Sequence, residues 1–129
     1  MKHVLSTEKA PAAIGPYSQG IHAAGLTFVS GQLPVDPATG VMPEEAGEQA
    51  KQSLTNVAAI LESNGCTMDD IVKTTVFLVD MNDFAAVNEV YKTFFPGSFP
   101  ARSCVAVKEL PKGAQVEIEA IAFAGGLDL

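Results

Sequence analysis

The stretch Ile71-Val-Lys-Thr-Thr-Val-Phe-Leu-Val79 decides the fold. It is rich in β-branched and aromatic residues and therefore reads as a strand. Alternation assigns Val72, Val76 and Leu78 to one side and Ile71, Phe77 and Val79 to the other, so the sheet containing it is apolar on both faces. Upstream, Ala46, Ala50, Leu54, Val57, Ala58 and Leu61 recur at helical spacing between about Glu44 and Ser63, with Glu44, Glu45 and Glu48 near the positive N-terminal end and Gly65 as a stop. Downstream, Phe84, Val87, Val90, Tyr91 and Phe94 mark one face of a second helix, capped by Asn82 or Asp83 and ended by Pro96-Gly97.

Further out, Leu26 to Ser30, Ala101 to Val107 and Gln115 to Ala124 read as strands, the last two joined by Leu110-Pro-Lys-Gly113. Short extended pieces at Val4 to Ser6 and Gly20 to Ala24 flank a loop rich in Pro and Gly that carries Tyr17. The core order is strand, helix, strand, helix, strand, strand. Two helical crossovers make the first three core strands parallel and put both helices on one face. The other face is apolar and uncovered, which predicts that a second copy of the chain covers it. Functional grooves then lie between subunits.

The chain has 129 residues, 47% hydrophobic and 18% charged, a composition and length that predict one globular domain spanning residues 1–129. No apolar run approaches the roughly 20 residues of a membrane-spanning helix. Cys66 and Cys104 have no metal-ligand or redox-motif spacing, and the N-terminus lacks a signal-peptide core, so two free thiols in the cytoplasm are expected. Fifteen acidic against eight basic residues give a net charge of −7, with the basic residues scattered, which argues against a nucleic-acid surface. Only one of those eight is an arginine, Arg102.

Arg102 sits in Phe99-Pro-Ala-Arg-Ser-Cys-Val-Ala-Val107 among small and apolar residues. It suits either an ordinary ion pair with a nearby carboxylate or a planar fork that grips the carboxylate of a ligand. In Val116-Glu-Ile-Glu-Ala-Ile-Ala-Phe123, alternation sets Glu117 and Glu119 on one face with Ile121 and Phe123. They suit a solvated strand end or a general acid or base whose proton affinity is raised by burial or by its like-charged neighbour. Spacing leaves open which of the two faces a cleft. Tyr17, Ser30, Asn88 and Cys104 are weaker candidates. His3 and His22 lie far along the chain from Cys104 and lack a third clustered ligand, so neither a Cys/His dyad nor a zinc site is expected. No phosphate or dinucleotide motif occurs, and no cofactor is implied.

The segments Ala13-Ile-Gly-Pro-Tyr-Ser-Gln-Gly20, Val29-Ser-Gly-Gln-Leu-Pro-Val35, Gln52-Ser-Leu-Thr-Asn-Val57, Asp70-Ile-Val-Lys-Thr-Thr-Val-Phe77, Phe99-Pro-Ala-Arg-Ser-Cys-Val105 and Val116-Glu-Ile-Glu-Ala-Ile-Ala122 resemble, in the same order, those of the RidA (YjgF-like) family of imine deaminases. The resemblance implies an α+β, chorismate-mutase-like fold with a mixed sheet and two helices on one face, assembled as a homotrimer with clefts between subunits. It implies that the last strand is inserted antiparallel between the first two core strands. Arg102 and Glu117 would then lie toward opposite ends of one subunit's sheet, and each site would be composite.

The implied activity is hydrolysis of 2-imino acids, the tautomers of enamines such as those released by pyridoxal-phosphate-dependent serine and threonine dehydratases, to 2-oxo acids and ammonia. The enzyme itself would use no cofactor. By motif, Arg102 resembles the residue that binds the substrate carboxylate and Glu117 the one that positions or deprotonates the attacking water. Tyr17, Ser30, Gly31, Asn88 and the backbone N–H of Cys104 match positions lining the cleft. A cleft that binds 2-oxo acids without turnover is the competing reading, and RNA cleavage, proposed for some relatives, conflicts with the charge.

Overall fold

The computed structural model describes residues 1–123. The elements are β1 (His3–Leu5), β2 (Gly20–Ala23), β3 (Leu26–Gln32), α1 (Ala46–Glu62), β4 (Ile71–Leu78), α2 (Phe84–Tyr91), β5 (Ala101–Ala106) and β6 (Val116–Phe123). The expected end of the last strand, Ala124, and the C-terminal Gly125 to Leu129 lie outside the described residues. The six strands form one sheet in the order β1-β2-β3-β6-β4-β5. β6 runs antiparallel to both β3 and β4, and β5 runs parallel to β4. The last strand therefore separates the two strands that α1 connects, the insertion that the resemblance implied.

α1 and α2 touch each other, and α1 packs on β3 and β6. The helix forms where small and branched apolar residues repeat every three or four positions, and Ala50, Leu54, Val57, Ile60 and Leu61 are wholly buried along that stripe. They meet Val76, Leu78, Val116, Ile118 and Ala122 of the sheet. Polar side chains fix the edges of this layer. Asn56, fully buried, donates to the carbonyls of Leu33 (3.0 Å) and Val35 (2.9 Å), tying the loop after β3 to the middle of α1. Gln49 donates to Pro43 O (2.8 Å) and accepts from Gln115 N (2.8 Å), which joins the start of α1 to the approach of β6.

Two local expectations are corrected. α2 begins behind a 3-10 turn, Met81–Asp83, and the capping side chain is Asp80, which accepts from Asn82 N at 2.9 Å; Asp83 makes no side-chain cap. In β4 the ladder to β6 slips between Ile71 and Lys73. This irregularity adds one residue to the count, so Ile71 joins Thr74, Val76 and Leu78 in the core, and Val72 is left 47% exposed. Strict alternation had grouped Val72 with Val76 and Leu78, and Ile71 with Phe77.

The face away from the helices carries Phe28, Phe77, Ile121 and Phe123 together with Lys73, Thr75, Glu117 and Glu119. None of these is buried, and Phe28 and Phe123 are 40% and 45% exposed. The uncovered face anticipated from the sequence is thus present, but it mixes apolar with polar and charged residues rather than being apolar throughout. Ile21, Phe28, Ser30, Lys73, Thr75 and Glu119 line a shallow hollow of about 330 Å³ on it.

Candidate active site in two halves

Parallel pairing sets Arg102 beside Thr74. Thr74 is buried against the helices, so Arg102 projects to the helix side at the open edge of the sheet. There α2 meets it. Asn88 Oδ1 accepts from Arg102 Nη1 at 2.6 Å, and the guanidinium carbon stands 4.9 Å from the Tyr91 ring centre and 5.4 Å from that of Phe84. Both rings lie within cation–π range. Among the described residues the one ion pair joins Lys92 to Glu89 at 3.1 Å, and Arg102 has no carboxylate partner. The ordinary ion pair considered from the sequence is therefore not what holds this arginine.

Arg102, Asn88, Tyr91, Phe99 and Pro100 line an open hollow of about 540 Å³. Cys104, two residues along the same strand face, is partly buried. Burial pushes its thiol pKa up, and the Arg102 charge pulls it down by less.

Glu117 belongs to the other half. Its neighbour on β4 is Phe77, so it projects from the uncovered face together with Glu119, as alternation along β6 predicted. On its other flank β3 bulges: Val29 pairs with Ala120 and Gln32 with Ile118, leaving Ser30 and Gly31 opposite Glu119 alone. The bulge brings backbone close to the carboxylate. A Cβ on Gly31 would collide with Glu117 Oε2, so glycine lets the carboxylate lie against the backbone here. The Glu117 carboxyl is held above the usual glutamate range, first by burial and second by the negative charge of Glu119.

Ser30 borders this half, and Tyr17 lies on the loop it holds. The hydroxyl of Ser30 donates to Ser18 O at 2.6 Å, and its N–H donates to Gln19 O at 2.9 Å. Tyr17, one residue before Ser18, is 53% exposed. The loop owes its shape to Gln19, which sequence reasoning passed over. Only 4% exposed, Gln19 accepts from Thr7 N at 2.7 Å and donates to the carbonyls of Thr7, Ala10 and Pro11 at 3.0, 3.3 and 2.7 Å. A polar amide inside a Pro/Gly loop was the available signal, since such a loop needs partners for backbone groups that no ladder satisfies. Phe84 and Tyr91 were read only as core, and their contact with Arg102 was missed.

Within one chain, then, Arg102, Asn88 and Cys104 form one group and Ser30, Gly31 and Glu117 another, while Tyr17 lines a separate hollow with Leu5, Thr7 and Pro11. The anticipated separation of Arg102 from Glu117 is present, but it runs across the sheet rather than along it. Thr74 and Phe77, their partners on β4, point to opposite faces. His22 is engaged elsewhere, with its Nδ1 3.2 Å from Thr27 Oγ1 and 3.1 Å from Asn64 Nδ2.

Residues 7–124 match the family described as Endoribonuclease L-PSP. The 2-iminobutanoate/2-iminopropanoate deaminase of Salmonella typhimurium is 55% identical over 95% of this chain and 98% of its own, and that of Capra hircus is 53% identical over 98% and 93%. The crystal structure of Escherichia coli TdcF with bound serine superposes with a TM-score of 0.91 at 49% identity, covering 94% of this chain and 98% of that one. The Escherichia coli YjgF gene product gives 0.92 at 52% identity over the same shares.

Proposed function

The chain belongs to the Endoribonuclease L-PSP family, also called YjgF/RidA, and on that footing we propose that it is an imine deaminase. It hydrolyses 2-imino acids such as 2-iminobutanoate and 2-iminopropanoate to 2-oxo acids and ammonia, and so limits damage by reactive enamines. The observation that carries this reading is the state of Arg102. The sole arginine of a protein with net charge −7 is held over the Tyr91 ring and by one hydrogen bond, with no carboxylate among the described residues on it. Such a group is free to take a carboxylate from outside.

The working unit is a homotrimer with three clefts. In each, Arg102, Asn88 and Cys104 come from one subunit and Tyr17, Ser30, Gly31 and Glu117 from the next. Joining the halves covers the apolar face and completes the site in the same step.

The chemistry asks little of the protein. Arg102 fixes the substrate carboxylate, which sets the adjacent imine carbon in one place. The imine reacts protonated on nitrogen: Glu117, as carboxylate, takes a proton from a water molecule as its oxygen bonds to that carbon and the C=N π electrons move to nitrogen, leaving a neutral amino group. The product of this step is a 2-amino-2-hydroxy acid. Protonation of its nitrogen by the Glu117 carboxyl then turns it into a leaving group. The C–N bond breaks as the hydroxyl gives its proton to the Glu117 carboxylate, ammonia and the 2-oxo acid separate, and the departing ammonia or solvent takes that proton to restore the carboxylate. A carboxyl with raised proton affinity serves both transfers better than an ordinary one. The dehydratases that release enamines are the class of enzyme that supplies the substrate, and a cytoplasmic location fits that supply.

The test couples the protein to a threonine dehydratase and follows 2-oxobutanoate release. Faster release with the wild-type chain, lost in Arg102→Ala, supports imine hydrolysis. Release at the spontaneous rate in the presence of a folded trimer that still binds 2-oxobutanoate would leave a binding module instead.

A further inference from the structure

Arg102 is an exposed residue, yet its head group is fixed from below. Phe84, Asn88 and Tyr91 follow one another at spacings of four and three on α2, so the three share one face of the helix. Asn88 uses one of the five N–H donors of the guanidinium, and the two rings, whose centres lie 5.4 and 4.9 Å from its carbon, use none. Tyr91 is itself pinned. Its hydroxyl lies 2.6 Å from Thr74 Oγ1, the two residues are 4% and 1% exposed, and Phe95 packs on its ring at 4.8 Å between centres. Thr74 is also the residue beside Arg102 in the parallel ladder. One buried hydrogen bond therefore links the strand next to the arginine backbone with the ring beneath the arginine head.

We propose that Thr74 and Tyr91 are positioning residues for the anchor: through the Tyr91 ring they hold the Arg102 guanidinium flat, so that its unused N–H edge meets a planar carboxylate with two parallel hydrogen bonds. The inference rests on the reading of Arg102 as the carboxylate anchor. It explains why a threonine hydroxyl and a phenol are buried together at this point of the core, where an apolar pair would pack with no polar group to satisfy. It also adds to the anchor two residues that act through the arginine.

Because Arg102 is the only arginine, its side-chain NMR signals need no assignment. Three variants test the proposal, Thr74→Val, Tyr91→Phe and the double Thr74→Val/Tyr91→Phe. Each single change leaves one buried hydroxyl unpaired and lowers the melting temperature, whereas the double removes both and recovers most of that loss. The expected result is that all three shift the Arg102 Nε–Hε signal toward that of free arginine and weaken 2-oxobutanoate binding about three- to tenfold, the double variant included. A double variant with the wild-type signal and an affinity within about twofold of wild type would show the pair to be purely structural and overturn the proposal. Absence of imine turnover by the wild-type chain would count against the proposed reaction only, since the Arg102 signal is read without it.

Discussion

Arg102 and Glu117 lie on opposite faces of one sheet, two strands apart, with their β4 partners Thr74 and Phe77 three residues apart. No side-chain rotation brings the two functional groups together within a subunit, because the sheet itself stands between them. A site that needs an anchored carboxylate and a base at the adjacent carbon must therefore draw them from two subunits.

Arg102→Ala removes an exposed side chain from an edge strand and is expected to fold normally. Loss of a bidentate charged contact should lower kcat/KM by about 100-fold or more. Arg102→Lys keeps the charge but not the planar fork, and should recover only a small part of that loss. Coupled kinetics with circular dichroism as the folding control checks both.

Glu117→Gln is expected to lower kcat by roughly 10²- to 10⁴-fold with little change in 2-oxo acid affinity. Gly31→Ala should show the same pattern in weaker form, because the added methyl displaces the carboxylate rather than deleting it. Single-turnover rates and equilibrium binding separate the two effects.

The base works when ionised, so the rate should rise with pH through a midpoint above the ordinary glutamate range. Glu119→Gln removes the second cause of the shift and should move that midpoint down. The same shift has a consequence for stability. A carboxyl whose pKa is higher in the folded than in the unfolded chain keeps more protons when folded, so it favours the fold below the unfolded pKa and loses that contribution as pH rises through the folded value. Relative to wild type, Glu117→Gln should thus be more stabilising at pH 7 than at pH 4, as melting curves at the two values would show.

A charge at Phe28, on the uncovered face, should give folded monomers without activity, seen by analytical ultracentrifugation. Val76, which alternation along β4 leaves as a candidate for that face, does not serve for this purpose. At 1% exposure it faces the helices, and Val76→Asp should unfold the chain instead. An active monomer from Phe28→Asp would contradict the composite site.

Much of this was legible in the chain. The helices announce themselves through residues such as Leu54 and Val57, and the site through Arg102, isolated in an acidic composition. What periodicity missed came from places where the period breaks. The irregularity at Ile71 to Lys73 reverses the faces of two residues, and the one at Ser30 and Gly31 brings backbone up to Glu117. Both are single-residue events in a ladder, and a pattern of apolar positions does not record them. Gln19 and Tyr91 were hidden for another reason: their roles arise from partners 8 to 12 and 17 residues away, at Thr7, Ala10 and Pro11 and at Thr74.

The most direct test of the composite site is subunit mixing. Arg102→Ala and Glu117→Gln, each inactive alone, are co-expressed in equal amounts, and the whole trimer pool, purified without separating its species, is assayed for imine hydrolysis. If each cleft takes its arginine from one subunit and its glutamate from the next, about a quarter of the clefts hold both native residues, and activity returns to about that fraction of wild type. Mixed trimers as inactive as either parent would contradict the account.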